Sequence, residues 1–212
     1  MKHIAVFDEN VASYEAWYLK YEKAYLSELE ALKEHMAKLP ENIRGIEVGV
    51  GTGQFALPLG IKEGIEPSSS MAAKAIKKGI EIMPGVAEKL PYGDLQFDFV
   101  LFVTVCHLKN LKHAFTEAYR VLKPKGSLIV GFLDKDRSIA QQYENKRHRS
   151  TFFRYANYYT VDHLTKTLKT TGFRNLEYNQ TLFGELESIQ EVQQPKKGHG
   201  EGSFVVIKAD KK

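Results

Sequence analysis

A single cysteine, Cys106, occurs in the 212 residues, so no disulfide can close within the chain, and the CxxC and HExxH spacings of metal sites are missing too. No run of about 18 apolar residues occurs, which leaves no candidate membrane span. The amino terminus lacks the apolar core of a signal peptide, and the predicted location is the cytoplasm. A dominant charge is also lacking: thirty basic residues are scattered among twenty-six acidic ones, for a net charge of +4, which is weak support for an anionic partner. Glycine and proline are absent from Ser13 to Leu39 and Pro40 closes that stretch, which predicts one long helix or two joined by a bend. With 43% hydrophobic and 26% charged residues, the composition is that of one globular domain with a proper core. Internal repeats are absent.

What the chain does have is the run Ile46-Glu47-Val48-Gly49-Val50-Gly51-Thr52-Gly53, a short β-branched segment that turns acidic and breaks into alternating glycines. Strand, turn and a short helix over Gln54 to Leu59 are expected there. Glycines reverse the chain in space other residues avoid and let a ligand approach the backbone, so the stretch reads as a cofactor cradle. The spacing is G-x-G-x-G, with Gln54 after Gly53, and the NAD fingerprint G-x-G-x-x-G is not met. A second strand, Ile61 to Glu66, ends in a carboxylate suited to ribose hydroxyls. Pro67 and the serines Ser68, Ser69 and Ser70 open a helix to about Lys78, and a third strand covers Ile80 to Met83. The apolar run Phe97 to Val103 predicts a central parallel strand covered on both faces.

These residues resemble the class I S-adenosylmethionine-dependent methyltransferases, whose first motif reads acidic-x-G-x-G-x-G and whose second strand ends in Asp or Glu. Glu47 and Glu66 hold those places. Gly85-Val86-Ala87-Glu88-Lys89-Leu90-Pro91-Tyr92 with Phe97-Asp98-Phe99-Val100 is similar to the family's "G-D-A-E-x-L-P-F … F-D-x-V", and Arg120 to Leu128 to its "R-V-L-K-P-G-G-x-L". Val86 departs from the family's adenine-binding aspartate, leaving that contact to the Ala87 backbone and Glu88. The resemblance is close over residues 47–133 and points to the small-molecule, ubiquinone- and menaquinone-biosynthesis-like branch (methyltransferase type 11). It implies a Rossmann-like α/β fold: a doubly wound seven-stranded sheet, mostly parallel with an antiparallel last strand, and helices on both faces. It further implies an S-adenosylmethionine site made by Glu47, Gly49, Gly51, Gly53, Glu66, Pro67, Met71, Ala87, Glu88 and Thr104, with no metal. His107 matches the first histidine of the family's "L-H-H" stretch and is the candidate general base, or else a residue that merely packs.

The expected organisation is a single domain over 1–212, with a helical cap over 1–40, a cofactor-binding half over 41–134, a lid-like insertion over 135–160 and the rest of the sheet over 161–212. Tyr14, Trp17, Tyr18, Tyr21 and Tyr25 recur at spacings of three and four and share one helix face, for core packing or for substrate. Asp134 follows the fifth strand and is a candidate for substrate contact. The insertion interleaves Arg137, Lys146, Arg147, His148, Arg149 and Arg154 with Tyr143, Phe152, Phe153, Tyr155, Tyr158 and Tyr159, read as a lid or plain packing ahead of RNA binding. Residues 188–202 read as a loose connector, followed by a last strand over Ser203 to Ala209. The expected activity is methyl transfer to a small-molecule N, O or C acceptor, small amines and ring compounds being the candidates. The rivals are an RNA-binding or regulatory protein on the same fold and, behind it, an NAD-dependent oxidoreductase.

Overall fold

The computed structural model describes residues 2–212. Three helices, α1 (Lys2–Glu9), α2 (Val11–Lys20) and α3 (Glu22–Met36), precede strand β1 (Gly45–Val48). The bend expected between two helices falls at Tyr21, whose φ of −113° and ψ of 43° end α2 and start α3. Helix α1 lies within the region expected to form a helical cap but ahead of the Ser13 to Leu39 stretch from which helix was read. Then come β2 (Glu63–Ile65), α4 (Ser69–Lys77), β3 (Glu81–Met83), β4 (Phe97–Val103), α5 (Leu111–Val121) and β5 (Leu122–Leu133). The chain finishes with α6 (Ser138–Asn145), α7 (Val161–Thr171), β6 (Arg174–Thr181), β7 (Lys196–Lys197) and β8 (Phe204–Asp210).

All strands join one sheet in the order β3-β2-β1-β4-β5-β8-β6-β7. The first five pair in parallel, and β8 runs antiparallel between β5 and β6, as the last strand was expected to. The sheet has eight strands, not seven. The extra one, β7, lies in the segment expected to be a loose connector and pairs Lys197 with Asn179 and Lys196 with Gln180. Two lysines carry no alternation from which a strand can be read.

Both faces of the sheet are covered. Along β4, Phe97, Val100 and Phe102 pack toward α5 and α7 with Phe115, Ala118, Leu164 and Leu168, while Phe99 and Leu101 pack toward α3 with Leu29 and Leu32. This is why β4 is apolar along nearly its whole length. Helix caps fall where the hydroxyls and glycine sit: Ser68 Oγ accepts from Met71 N, Thr160 Oγ1 accepts from His163 N, and Gly172 ends α7 at φ 116°.

One expected helix is missing. Residues 51–60 form consecutive turns, with long bonds from Leu57 N to Gly53 O (3.3 Å) and Leu59 N to Phe55 O (3.2 Å). Pro58 has no N–H to continue a ladder, and Gly60 leaves it at φ 71°.

Candidate functional site

The carboxyl ends of β1, β2 and β4 open onto one cavity of about 570 Å³. That is the crevice where open α/β sheets bind ligands. At its floor, Gly49 N and Val50 N donate to Ile65 O at 2.8 and 3.0 Å, so the turn after β1 is bonded to the end of β2. Gly49 and Gly51 take φ values of 78° and 57°. A Cβ on Gly49 would meet nothing within 4 Å, whereas one on Gly51 would lie 3.0 Å from the Tyr14 hydroxyl. Gly53 stands outside the lining, its absent Cβ only 2.5 Å from Ile80 Cδ1, so it serves close packing.

Two carboxylates flank the turn. Glu66 is 8% exposed, and its oxygens accept from Gly51 N and Ser68 N, both at 2.8 Å. Burial raises its pKa, partly offset by those two N–H groups. Glu47 is 2% exposed, and its Oε2 has no hydrogen-bond partner among the described residues. Burial drives its pKa well above the usual carboxylate range, against the pull of the Ala56 N–H.

The remaining sequence candidates converge on the same space. Pro67 and Met71 line the cavity beside Glu66, and Ala87, Glu88 and Thr104 line it from the loops after β3 and β4. Glu88 also organises the approach to α5, accepting from Lys109 N at 2.7 Å and Asn110 N at 3.0 Å. Thr104 holds φ 62° and ψ 62°, a left-handed conformation that costs a β-branched residue energy and clusters at functional sites. His107, in the 3-10 turn Val105–His107, lines the cavity between rings: edge-on to Phe7 at 5.1 Å and stacked with Phe153 at 6.0 Å. Asp134 is not brought to the cavity. It is 4% exposed, accepts from Asp136 N and faces Arg137 at 3.7 Å, which makes it a loop-organising group and not a substrate contact.

The far half of the cavity is aromatic. Tyr14, Trp17 and Tyr18 of α2 reach it, while Tyr21 and Tyr25 pack behind, with the Tyr25 hydroxyl donating to Gln54 O at 2.6 Å. The Tyr14 and Tyr18 hydroxyls share a hydrogen bond of 2.8 Å, and Trp17 Nε1 donates to the Tyr143 hydroxyl at 3.1 Å, tying α2 to α6. Phe7, Phe152 and Phe153 close the side nearest His107. Glu28 of α3, passed over in the sequence, also lines this half. Its signal was legible: it continues the Tyr21, Tyr25 spacing by three residues, a carboxylate on an otherwise apolar stripe.

The residues fit a nucleoside cofactor with an amino-acid tail. The orphaned Glu47 oxygen suits a donor, the space above Gly49 suits close approach, and Glu66 has lone pairs left for hydroxyls.

Residues 46–130 match the family described as "Methyltransferase domain". An uncharacterized protein of Methanocaldococcus jannaschii is 42% identical over 207 residues, 97% of this chain and 98% of that one. The crystal structure of a Thermotoga maritima protein, described as a SAM-dependent methyltransferase and possible histamine N-methyltransferase, superposes with a TM-score of 0.93 at 42% identity, covering 99% of this chain and 100% of that one. Demethylmenaquinone methyltransferase of Chlorobaculum tepidum is 28% identical over 165 residues, 65% of this chain and 68% of that one.

Proposed function

Since the chain belongs to the S-adenosylmethionine-dependent methyltransferases, we propose that it transfers the methyl group to a small-molecule acceptor held in the aromatic half of the cavity. The observation that carries this reading is continuity: a single cavity runs from the glycine turn to the Tyr14, Trp17, Tyr18 and Tyr143 chamber. Its size suits the cofactor and a compact acceptor better than a macromolecule. S-adenosylmethionine, when bound, supplies a methyl group activated for in-line displacement.

In this reading Glu66 accepts from the ribose hydroxyls with the lone pairs that Gly51 and Ser68 leave open, and Glu47 accepts from the amino group of the tail. Gly49 leaves the space the ligand occupies. Pro67, Met71, the Ala87 backbone and Glu88 bound the adenine end, where Val86 replaces the family's aspartate, and Thr104 borders the reacting centre. The chain mainly excludes water and aligns two partners, which can be worth effective molarities of about 10⁵ M or more. Rings on two sides fix His107, so we assign it to the wall that orients the acceptor. His107→Ala is then expected to raise the acceptor KM more than it lowers kcat; a kcat loss of about 100-fold at unchanged KM would instead make it the base.

Calorimetric titration with S-adenosylhomocysteine, with NADH as control, tests the cofactor assignment. Micromolar binding of the first alone is expected. Equal binding of NADH would overturn the assignment.

A further inference from the structure

Glu28 is a buried carboxyl that the cofactor half of the cavity does not use. It lies in the middle of α3, is 7% exposed and lines the aromatic chamber. No hydrogen bond or ion pair from the described residues neutralises its carboxylate. Its charge is felt by the hydroxyls of Tyr14 and Tyr18 on α2 and of Tyr143 on α6, so it faces the chamber from the α3 side. Trp17 and Phe55 add ring surface to the same chamber. A carboxylate removed from water without a counter-charge is costly, and aromatic faces favour a cation over an anion or a neutral polar group. Together these features form a site for a positively charged group with an apolar body.

Resting on the methyltransferase reading above, we propose that the acceptor is a small amine whose ammonium is held by Glu28 and whose apolar body lies against Tyr18, Trp17 and Phe55. Burial alone pushes the Glu28 carboxyl up to about 8, so in a ligand-free chamber it is close to the proton balance of an amine. The ammonium passes one proton to Glu28, which leaves a neutral nitrogen with a free electron pair. That pair forms the new N–C bond as the C–S bond breaks and its electrons leave with sulfur. The positive charge moves from the sulfonium to the methylated nitrogen, and Glu28 later returns its proton to solvent.

The test compares phenethylamine with 2-phenylethanol, and butylamine with butanol, each titrated into the protein saturated with S-adenosylhomocysteine. Each amine is expected to bind about tenfold or more tighter than its alcohol. In Glu28→Gln that preference is expected to vanish while S-adenosylhomocysteine affinity stays within about twofold. The proposal is overturned if the alcohols bind as well as the amines or if neither binds. It is also overturned if Glu28→Gln weakens S-adenosylhomocysteine and leaves the amines alone, which would assign the carboxylate to the cofactor. Failure of S-adenosylhomocysteine to bind the unmodified protein is a separate result that removes the cofactor reading itself. The comparison of amine with alcohol needs no variant, so it stands even if Glu28→Gln does not fold.

Discussion

Glu66 joins the glycine turn to the α4 entrance through two N–H groups while its remaining lone pairs face the cavity. Glu66→Ala is therefore expected to weaken S-adenosylhomocysteine binding by about 1 to 3 kcal/mol, since hydroxyls lose a charged acceptor; unchanged affinity by calorimetry would contradict the assignment. Gly49→Ala is expected to weaken that binding strongly, because its side chain enters open cavity space, while a thermal melt reads separately the strain of a Cβ at φ 78°. Buried groups set a pH dependence of stability, with Glu47 and Glu66, whose carboxyls burial also raises, acting in the same sense as Glu28. His35, 0% exposed, is lowered to about 4 by burial, so the unfolded chain binds more protons than the native one between that value and 6.5, and stability is lost as pH falls through this range. Glu28, raised to about 8, keeps its proton in the native state where the unfolded chain has lost it, and stability falls as pH rises from 4.5 through 8. Chemical denaturation of the ligand-free protein is expected to show a decline from about pH 6.5 to 8, shallower in Glu28→Gln; identical slopes in the two proteins would contradict the burial of this carboxyl in the free state.

At the scale of elements, α1 is tied across the site. Asp8 accepts from Ser68 Oγ at 2.7 Å and Ser70 N at 3.1 Å, joining α1 to the start of α4, and Phe7 packs on His107 and Phe152. Those bonds hold the Asp8 carboxyl below its usual range. Asp8→Ala is expected to speed S-adenosylhomocysteine dissociation several-fold in stopped-flow measurements by loosening α1; an unchanged rate would mean that α1 does not gate the site. How well each element could be read follows from how local its signal is. Strand β4 is apolar on both faces and was legible at its bounds, and α7 carries an equally local signal, with Thr160 at one end and Gly172 at the other. Helix α1 is closed at its carboxyl end by Asn10, whose Nδ2 donates to Val6 O at 2.8 Å, but no glycine or proline marks its end and it is anchored by contacts far along the chain. The expected helix after Gly53 failed because Pro58 and Gly60 outweigh the helix formers ahead of them. The site was legible where a motif fixes backbone, at Glu47, Gly49, Gly51 and Glu66. Glu28 carried a signal in its spacing from Tyr21 and Tyr25, whereas Phe7 and Phe152 reach the cavity only through tertiary packing.

Over the whole molecule, one mixed sheet spans residues 45–210 and gathers the carboxyl ends of its parallel strands under the amino-terminal helices and α6. Among the described residues no helix is long and apolar enough to cross a membrane. Arg147 in the insertion donates to the Arg154 and Ala156 carbonyls, so part of its basic character goes into bonding the segment to itself. Methylation of a small molecule in that chamber is read by transfer of a labelled methyl group from S-adenosylmethionine, with the products separated by size after incubation with a panel of small amines, ring alcohols and total RNA. Label in a small amine, lost in Glu66→Ala, is the expected result. Label confined to RNA, or none in any small molecule while S-adenosylhomocysteine binds, would contradict the account.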